Sequence, residues 1–416
     1  MLSRYMKRVL IHSLIFSPDG VSTAYLYNDI ALNLRERGYD VVVLTATPHF
    51  NLVPEQLEEQ PLHWKVWGLC KVSNFNGIKV YHVPQKKFKS TLFRLIGFVY
   101  WHIVALILGL CIKKVDLILS PSPPLTIGLI NLILGKIKGC KVVYNVQEIY
   151  PDILKLKPGI AFKSLSRLEH KVYNGSDAVT TIDQVFHDTI VNRFEDKNKL
   201  LIIPNFVDTE LYHEYDWKGV LDSSVFPQSD KIKILYAGNI GFAQDWDPLL
   251  DLAEKTQDID VEYIIIGEGV KKPYLEEESI RRGLNNVRIL PYQPRKLMPY
   301  ILSYSDINFI FMNPKMDGDG FPSKVYTIMA CERPLLVVSG KNTPIVNFLE
   351  DKNCAKLVTE KNAVKKIEEM SEWLHKVTKE ELQQMGKNGL KTIQKHYTKD
   401  IVTSMYADLV KELIGE

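Results

Sequence analysis

Short runs of β-branched and aliphatic residues alternate along the chain with longer segments whose apolar residues recur at helical spacing. The first pair is a strand at Val9–Leu14 and a helix at Ser22–Arg37, which we expect to end at Gly38 because glycine is favoured just past a helix C-terminus. The same pattern predicts a helix at Leu125–Lys138 and further strands at Asp40–Thr45, Lys79–Val83, Asp116–Ser120, Lys141–Asn145, Ala178–Ile182 and Leu200–Pro204. This alternation is typical of a parallel sheet with crossover helices.

The alternation restarts after an irregular polar stretch, Asp208–Asp230. Strands of the second half are predicted at Ile232–Ala237, Val261–Ile266, Val287–Leu290, Asp306–Met312, Pro334–Val338 and Ala355–Val358. Helical sequence follows from Ala363, and its final piece is Lys399–Ile414. We therefore predict an α/β protein with two Rossmann-like, doubly wound domains that face a cleft. The ligands of such sheets bind at the carboxyl ends of the strands.

The composition is that of an ordinary globular protein, with 46% hydrophobic and 24% charged residues. These values exclude a disordered chain, a collagen and a polytopic membrane protein. The net charge of +3 is too small for a dedicated nucleic-acid-binding protein. The five cysteines are scattered without a C-x-x-C pair, so we expect reduced thiols in an intracellular protein. No histidine spacing indicates a metal site, and the N-terminal residues show no secretory cleavage signal.

One segment, Leu95–Ile112, has no formally charged residue and approaches the roughly 20 residues of a membrane span. The basic residues on either side of it are Lys86, Lys87, Lys89, Arg94, Lys113 and Lys114. A span at this point would put two strands of one sheet on opposite sides of a membrane. We therefore favour a helix on the domain surface that is partly sunk into the membrane interface. A fully buried crossover helix and a true span are the alternatives.

The strongest chemical signal lies in the second half, at Asp317–Cys331, between a predicted strand and a predicted helix. Pro322 and Ser323 favour a helix start there, and the free backbone N–H groups of a helix start suit a phosphate. Lys324 falls in the first helical turn, where the helix dipole disfavours a cation. An anionic ligand would resolve this conflict. The alternative is a lysine that simply extends into water.

This stretch resembles the acidic motif of family 4 retaining glycosyltransferases, which have two Rossmann-like domains in the GT-B fold. Asp319, followed by Gly320-Phe321, matches the first acidic position, which in the family contacts the donor sugar. Thr327 stands at the second acidic position, which in the family holds the nucleotide ribose, and Met329–Pro334 closes the match. A neutral hydroxyl replaces a carboxylate only weakly, so we expect a weakened ribose contact. An ordinary loop acid is the alternative role for Asp319.

A second match lies at Tyr236–Asp245, which resembles the Gly-rich loop after the first strand of the family's C-terminal domain. The family's arginine and lysine, which grip the donor diphosphate, are absent here: Asn239 stands at the arginine position, and Gln244 lies near the lysine position. Lys324 is the expected replacement cation. This variant is similar to the bacterial O-antigen and capsule branch that includes N-acetyl-L-fucosamine transferases (WbuB-like).

Weaker matches extend the resemblance over residues 7–415. Pro18–Ser22 resembles the N-domain Gly-rich loop and contains Gly20, and Ile266–Gly269 resembles a C-domain turn. Glu148–Asp152 resembles the branch's Asp-x-Trp-Pro motif, which would place Glu148 at the cleft; a helix cap is the alternative role for this carboxylate. Tyr292 lies where the family's backbone contacts the base.

The resemblance implies three parts. Residues 1–210 would bind the acceptor and carry the membrane-associating helix at 95–112, residues 211–397 would bind the nucleotide sugar, and residues 398–416 would form a helix that crosses back to the N-terminal domain. The expected catalytic residues are Glu148, Asp319 and Lys324. The expected donor-binding residues are Gly20, Gly238, Asn239, Gly241, Gln244, Tyr292, Phe321, Pro322, Ser323, Lys324 and Thr327.

The function so implied is a metal-independent hexosyltransferase that acts with retention and needs no cofactor beyond its donor co-substrate. It would move a UDP-linked, N-acetylated or deoxy sugar to a polyprenyl-diphosphate-linked glycan in O-antigen, lipopolysaccharide, capsule or exopolysaccharide assembly. Its partners would be the donor, the lipid-linked acceptor and the inner face of the cell membrane, without nucleic acid. A non-catalytic nucleotide-binding sensor or scaffold is the alternative. An oxidoreductase is disfavoured because neither half contains G-x-G-x-x-G after its first strand.

Overall fold

The structure is a computed structural model that describes residues 6–50, 52, 54–65, 68–85, 90–155, 157, 159–315 and 320–415. The chain divides into two units. The first unit consists of Met1–Asn205 together with Asp400–Glu416, and the second of Phe206–Lys399. The chain therefore leaves the first unit after Asn205 and returns to it at Asp400.

The first unit contains one sheet, in which nine strands fall within the described residues. They are β1 (Arg8–His12), β2 (Asp40–Ala46), β3 (His63–Lys65), β4 (Cys70–Phe75), β5 (Ile78–Val83), β6 (Leu117–Pro121), β7 (Lys141–Val146), β8 (Ala178–Thr181) and β9 (Leu200–Ile202). Their order is β3-β4-β5-β2-β1-β6-β7-β8-β9. The neighbours from β5 to β9 pair in parallel, whereas β3 and β4 extend the sheet in antiparallel fashion.

The antiparallel extension differs from the predicted parallel sheet, and a tight hairpin explains it. Asn76 and Gly77 join β4 to β5 and both have positive φ, +46° and +84°. Two-residue hairpin loops require this conformation, and the sequence Asn-Gly is favoured there for that reason. The hairpin therefore directs β4 back along β5.

Helices cover both faces of this sheet. They are α1 (Ser22–Glu36), α2 (Pro54–Glu59), α3 (Thr91–Cys111), α4 (Leu125–Lys138), α5 (Ile160–Gly175) and α6 (Gln184–Ile190). Helix α1 buries Tyr27 and Leu34 against the sheet. The alternation of parallel strands and helices places the carboxyl ends of β1, β6 and β7 at one edge of the sheet.

The second unit has a sheet of six parallel strands among the residues that the structure describes, in the order β12-β11-β10-β13-β14-β15. The strands are β10 (Ile232–Ala237), β11 (Val261–Ile266), β12 (Val287–Leu290), β13 (Ile307–Phe311), β14 (Leu335–Val338) and β15 (Ala355–Val358). The helices are α7 (Asp247–Lys255), α8 (Lys272–Arg281), α9 (Met298–Tyr304), α10 (Lys324–Ala330), α11 (Pro344–Leu349), α12 (Ala363–Lys376) and α13 (Lys379–His396). Two apolar clusters fill the core on either side of this sheet. The predicted α/β class with two Rossmann-like domains is confirmed.

The last helix, α14 (Lys399–Ile414), lies in the first unit from Asp400 onwards. Arg37, which follows α1, donates a hydrogen bond to Ser404 at 2.6 Å. Val402 and Tyr406 bury their side chains in this unit. Helix α14 is therefore an integral part of the N-terminal fold.

Helix α3, which contains the long apolar segment, connects β5 to β6 of the same sheet. Its residues Trp101, Val104, Ala105 and Leu108 are buried, at the spacing of one helix face. The opposite face is exposed and carries Leu92, Phe93, Leu95, Ile96, Val99, Tyr100, Ile103, Ile107 and Leu110. By length and composition α3 could cross a membrane. The alternative of a fully buried crossover helix is wrong, because one apolar face is open to solvent.

The end of α10 shows a backbone feature that depends on one residue. Glu332 has φ +56°, and the Arg333 N–H donates to Ile328 O at 3.1 Å. The Glu332 N–H donates to Met329 O at 3.2 Å. These two bonds form a Schellman motif, in which glycine is the usual left-handed residue. A glutamate therefore occupies a left-handed position here.

Candidate functional site

The Gly-rich turn of the second unit begins at the carboxyl end of β10. Gly238 has φ +150°, and its N–H donates to Ile266 O at 2.9 Å. A Cβ atom on Gly267 would lie 1.9 Å from Gly238 O, which is far below any van der Waals contact. The turns that follow β10 and β11 therefore pack backbone to backbone, and Gly267, a weak signal in the sequence, is needed for that contact.

Lys324, the first residue of α10, reaches this turn. Its Nζ donates to Ala237 O at 3.1 Å and lies 3.9 Å from the centroid of the Tyr236 ring. A Cβ atom on Gly238 would lie 2.7 Å from the same Nζ. Desolvation lowers the pKa of Lys324 to about 7, because burial disfavours the charged form of an amine. The structure thus brings together Lys324 and Gly238, which are far apart in the sequence.

A small cavity of about 80 Å³ adjoins Lys324. Its lining includes Thr327, Met298 and Asn308. The Thr327 hydroxyl donates to Lys324 O at 2.9 Å, which is a bond within its own helix. Thr327 therefore lies beside Lys324, but its hydroxyl hydrogen is already used.

The predicted helix start at α10 differs from expectation in its hydrogen bonds. Ser323 precedes the helix with helical backbone angles and makes no side-chain cap bond. The N–H groups of Val325 and Tyr326 donate to Pro322 O and Ser323 O. Two of the amides expected for a phosphate are thus bonded within the turn, so the positive charge of Lys324 is the stronger attraction for an anion.

Phe321 and Asp319 belong to the stretch that precedes α10. Phe321 packs against Tyr326 and Phe348, with ring centroids 5.2 and 4.9 Å away, and this contact anchors the residues before α10. Asp319 lies outside the described residues, so its role stays a prediction.

Two residues of the loop after β10 have structural contacts. Gln244 is buried, and its side-chain carbonyl accepts a hydrogen bond from Phe311 N at 3.0 Å. Gly241 O accepts a bond from the Trp246 indole at 2.9 Å. Asn239, in contrast, is exposed at the tip of the turn. These contacts favour a structural role for Gln244 and leave Asn239 open to a ligand.

Tyr292 follows β12 and its side chain is 63% exposed. The Glu268 carboxylate near its backbone N–H accepts a bond from Lys272 at 2.7 Å, and these groups lower the pKa of Glu268. The backbone that the family resemblance offered for contact with a base therefore lies next to a carboxylate.

In the first unit, the loop that contains Gly20 is held by its neighbour Asp19. The Asp19 carboxylate accepts hydrogen bonds from His49 N and Phe50 N, both at 2.7 Å, and Gly20 N donates to Phe50 O at 2.9 Å. Burial raises the pKa of Asp19. This carboxylate was not predicted from the sequence, although the Pro-Asp-Gly turn indicated its position.

Glu148 lies at the carboxyl end of β7 in the first unit. Its backbone N–H donates to the Ser122 hydroxyl at 3.1 Å, and its carboxylate is hydrogen-bonded by the Tyr150 hydroxyl. Desolvation raises the pKa of Glu148, and burial next to this carboxylate raises the pKa of Tyr150 to about 12. The carboxylate partner is a tyrosine and not a helix start, which favours the functional role over the helix cap.

An ion cluster behind this segment was not foreseen. Arg193 donates to Asp152 and to Glu169, at 2.6 Å each. Glu169 is 3% exposed, and desolvation raises its pKa to about 7 despite the guanidinium beside it. The cluster ties the segment that contains Glu148 to α5.

Two family models match successive parts of the chain. The model described as Glycosyltransferase Family 4 matches residues 24–211, and the model described as Glycosyl transferases group 1 matches residues 221–392. The first match lies almost wholly in the first unit and the second in the second unit. Each unit is therefore similar to a different half of known glycosyltransferases.

Full-length relatives agree with these matches. WcaI of Escherichia coli K12, described as a colanic acid biosynthesis glycosyl transferase, is 23% identical over 336 residues, which cover 78% of this chain and 81% of that protein. WbjE of Pseudomonas aeruginosa, described as a glycosyltransferase, is 22% identical over 73% of this chain and 76% of that protein. Among solved structures, Anabaena HepE in complex with UDP superposes with a TM-score of 0.73 at 14% identity, over 98% of this chain and 100% of that chain.

The fold, the two family matches and these relatives agree over nearly the whole chain. The chain is a glycosyltransferase of the GT-B type, whose N-terminal half matches the family 4 model and whose C-terminal half matches the group 1 model.

Proposed function

We propose that the second unit binds a nucleotide-diphosphate sugar, with the diphosphate on the Gly238–Gly241 turn and beside Lys324. The observation that carries this proposal is the Lys324 amine, which lies against the turn, 3.1 Å from Ala237 O. A partly buried amine without an ion pair to a carboxylate among the described residues is suited to an anionic ligand. The relative HepE, whose structure holds UDP, supports a nucleotide donor. We expect UDP as the nucleotide.

Lys324 would act on the leaving group. Breaking the bond between the sugar and the diphosphate builds negative charge on the departing phosphate oxygen. A positioned ammonium group and backbone N–H groups stabilise such charge more in the transition state than in the ground state. The reaction would then need no metal ion, since the lysine supplies the positive charge.

The acceptor hydroxyl needs a base, and we assign this role to Glu148. Its raised pKa brings the carboxylate closer to the range in which a general base is effective near neutral pH. Asp319 would orient the donor sugar. The family resemblance implies retention of configuration, for which the acceptor hydroxyl would have to attack from the face that the departing diphosphate leaves. The colanic acid assignment of WcaI favours an acceptor that is a polyprenyl-diphosphate-linked glycan of a surface polysaccharide.

Such an acceptor lies in a membrane, and we propose that the exposed face of α3 brings the protein to the inner membrane surface. Val99 and Ile103 on this face are 48% and 54% exposed. Helix α4 contacts α3 and α5 and adds the exposed side chains of Ile133 and Ile137. Exposed apolar side chains in this number on two neighbouring helices are unusual on a protein that has no partner for them.

The charges around this surface fit an anionic membrane. Lys163, Arg167 and Lys171 are exposed on α5 at intervals of four residues, which places them on one helix face. In the described parts of α3, α4 and α5 the single acidic residue is Glu169, and it is buried and bonded to Arg193. Each exposed cation close to an anionic leaflet contributes about 1 kcal/mol. The predicted flanking lysines 86, 87 and 89 lie outside the described residues.

The donor proposal is tested by thermal stabilisation with a series of nucleotide-diphosphate sugars, because a ligand of the native state raises its melting temperature. The donor that stabilises the protein is then assayed for transfer to a lipid-linked glycan acceptor, which separates an enzyme from a nucleotide-binding scaffold. Lys387→Ala is the matched control for changes at Lys324, since Lys387 is exposed on α13 of the same unit. Stabilisation by no nucleotide sugar would contradict the proposal.

A further inference from the structure

The amine of Lys324 rests on an aromatic ring that is itself held firmly. Tyr236 is 3% exposed, and its ring contacts Trp246 and Phe309 at centroid distances of 5.1 and 5.4 Å. Its hydroxyl donates to Asn239 O at 2.8 Å, inside the Gly-rich turn. These contacts fix the position of the ring. The Tyr236 side chain thereby links the end of β10 to Asn239 at the tip of the turn.

The amine has few other partners. Within the described part of the second unit its hydrogen-bond acceptor is Ala237 O, although an ammonium group has three N–H donors. A side chain at Gly238 would occupy the space beside the amine, because a Cβ atom there would lie 2.7 Å from Nζ. Because Gly238 has no side chain, the space between the amine and the turn stays open.

No described carboxylate faces this amine to balance a positive charge. The residues that line the adjoining cavity include Tyr212 before β10, Tyr236 of β10, Met298 of α9, Asn308 of β13 and Thr327 of α10. Burial raises the pKa of Tyr236, so that phenol stays neutral at physiological pH. Desolvation lowers the pKa of Lys324 to about 7, so without a ligand much of the amine is uncharged at and above neutral pH.

We propose that Tyr236 is a positioning residue that holds the Lys324 amine on the Gly238 turn, and that this arrangement couples binding of the donor diphosphate to uptake of one proton. The inference rests on the proposed function. The neutral amine takes a proton from solvent, becomes an ammonium ion, and gains the diphosphate as its ion partner. No bond to the sugar is involved in this step.

The coupling gives binding a pH dependence of known sign. Below about pH 7 the amine is already charged, so affinity is independent of its titration. Above pH 7 each bound diphosphate must bring a proton with it, and affinity falls by up to about tenfold per pH unit until the pKa of the complex is reached. The burial of the amine, to which the Tyr236 ring contributes, sets where this fall begins.

The test uses the full chain and UDP in isothermal titration calorimetry at pH 8.5, in two buffers of different ionisation enthalpy, which counts the protons taken up. The terminal phosphate of UDP is fully ionised at this pH, since phosphate monoesters have a second pKa near 6. We expect close to one proton per UDP for the wild type and for Tyr236→Phe, which keeps the ring. We expect less than half of that for Tyr236→Leu, in which water reaches the amine and keeps it charged.

No proton uptake by the wild type, or an unchanged uptake by Tyr236→Leu, would overturn the inference while UDP binding leaves the proposed function intact. If Tyr236→Leu does not fold, the pH dependence of UDP affinity between pH 7 and 9 decides, since the terminal phosphate of UDP is largely ionised over this range. The affinity of the wild type should fall above pH 7 and that of Lys324→Met should stay constant, and two constant affinities contradict the coupling. Failure of UDP, GDP, ADP and dTDP to bind at all would remove the proposed donor site and this inference together.

Discussion

Arg193 donates a hydrogen bond to the buried carboxylate of Glu169 at 2.6 Å. Because desolvation raises the pKa of Glu169 to about 7, the state of this pair depends on pH. Arg193→Leu should lower the free energy of unfolding by about 3 kcal/mol at pH 8, where an ionised buried carboxylate loses its partner. At pH 5.5 the folded protein can hold Glu169 protonated, so the loss should be smaller. Urea unfolding at the two pH values measures the difference.

The control for this change is Arg167→Leu, which removes an exposed cation from α5. It should change stability by no more than about 0.5 kcal/mol at either pH. An equal cost of Arg193→Leu at pH 5.5 and pH 8 would contradict the raised pKa of Glu169.

Loss of the Lys324 charge should slow sugar transfer. We expect Lys324→Ala to reduce turnover at least about tenfold, which corresponds to about 1.4 kcal/mol of lost transition-state stabilisation. Lys387→Ala should leave turnover unchanged. The melting temperature without ligand should not fall in Lys324→Ala, because the variant no longer buries an amine. A fully active Lys324→Ala enzyme would disprove the role of this lysine.

Glu148→Gln should separate catalysis from donor binding. An amide keeps the size of the side chain but cannot accept a proton, so we expect turnover to fall by roughly 100-fold or more while UDP affinity stays the same. The acid limb of the wild-type rate profile should lie above the ordinary glutamate pKa, since desolvation raises the pKa of Glu148. Tyr150→Phe removes a hydrogen bond that favours the carboxylate, so it should move this limb to higher pH. A limb that does not move argues against Glu148 as the base.

The exposed face of α3 can be tested by vesicle flotation with anionic phospholipid. Replacing both Val99 and Ile103 by Asn should weaken membrane partition by about tenfold or more, because each half-exposed side chain contributes about 1 kcal/mol when buried in lipid. Ile280→Asn, at an 81% exposed position on α8 of the second unit, is the control. Unchanged flotation of the double variant would refute the assignment of this surface.

Two other apolar residues of α3, Trp101 and Leu106, are unsuited to this test although they lie in the same segment. Trp101 is 0% exposed and stacks on His12 with a centroid distance of 5.5 Å, and Leu106 packs against the same core. Trp101→Ala would therefore cost about 3–5 kcal/mol of stability and report on folding instead of membrane contact.

Glu332→Gly should stabilise the protein by about 0.5–1 kcal/mol, because Glu332 has φ +56° and glycine adopts this conformation without steric cost. Glu350→Gly is the matched control. It lies at the end of α11 with φ −60°, where glycine brings no such relief and should be neutral or destabilising. Thermal unfolding of both variants gives the comparison. A lower melting temperature for Glu332→Gly would show that a contact of the Glu332 side chain stabilises the protein by more than the relief of the left-handed backbone does.

Elements with strong periodicity were predictable from the sequence to within a residue or two. Leu125–Lys138 and Ile232–Ala237 have the predicted bounds, since each has a clear apolar pattern and a clear stop. The hairpin at Asn76 and Gly77 was missed although its signal is strong. The intervening strands are short and partly exposed, so their hydrophobic pattern is weak.

Those parts of the candidate site that depend on the order of the strands were predictable from the sequence. Those that depend on the direction in which a side chain points were not. Lys324 and Gly238 meet because β10 and β13 are neighbours in the sheet, which a parallel sheet favours. The burial of Gln244 against Phe311 depends on a local bend of the chain. The pairing of Arg193 with Glu169 across 24 residues leaves no pattern in a single sequence.

The contact between Gly267 and the carbonyl of Gly238 has a consequence for engineering this protein. With only 1.9 Å available for a Cβ atom, even alanine at position 267 would push the neighbouring turn away from β11. A residue that touches no ligand thereby governs the shape of the surface where an anion would bind. Libraries aimed at new sugar donors should hold position 267 constant and vary Asn239, whose side chain is exposed.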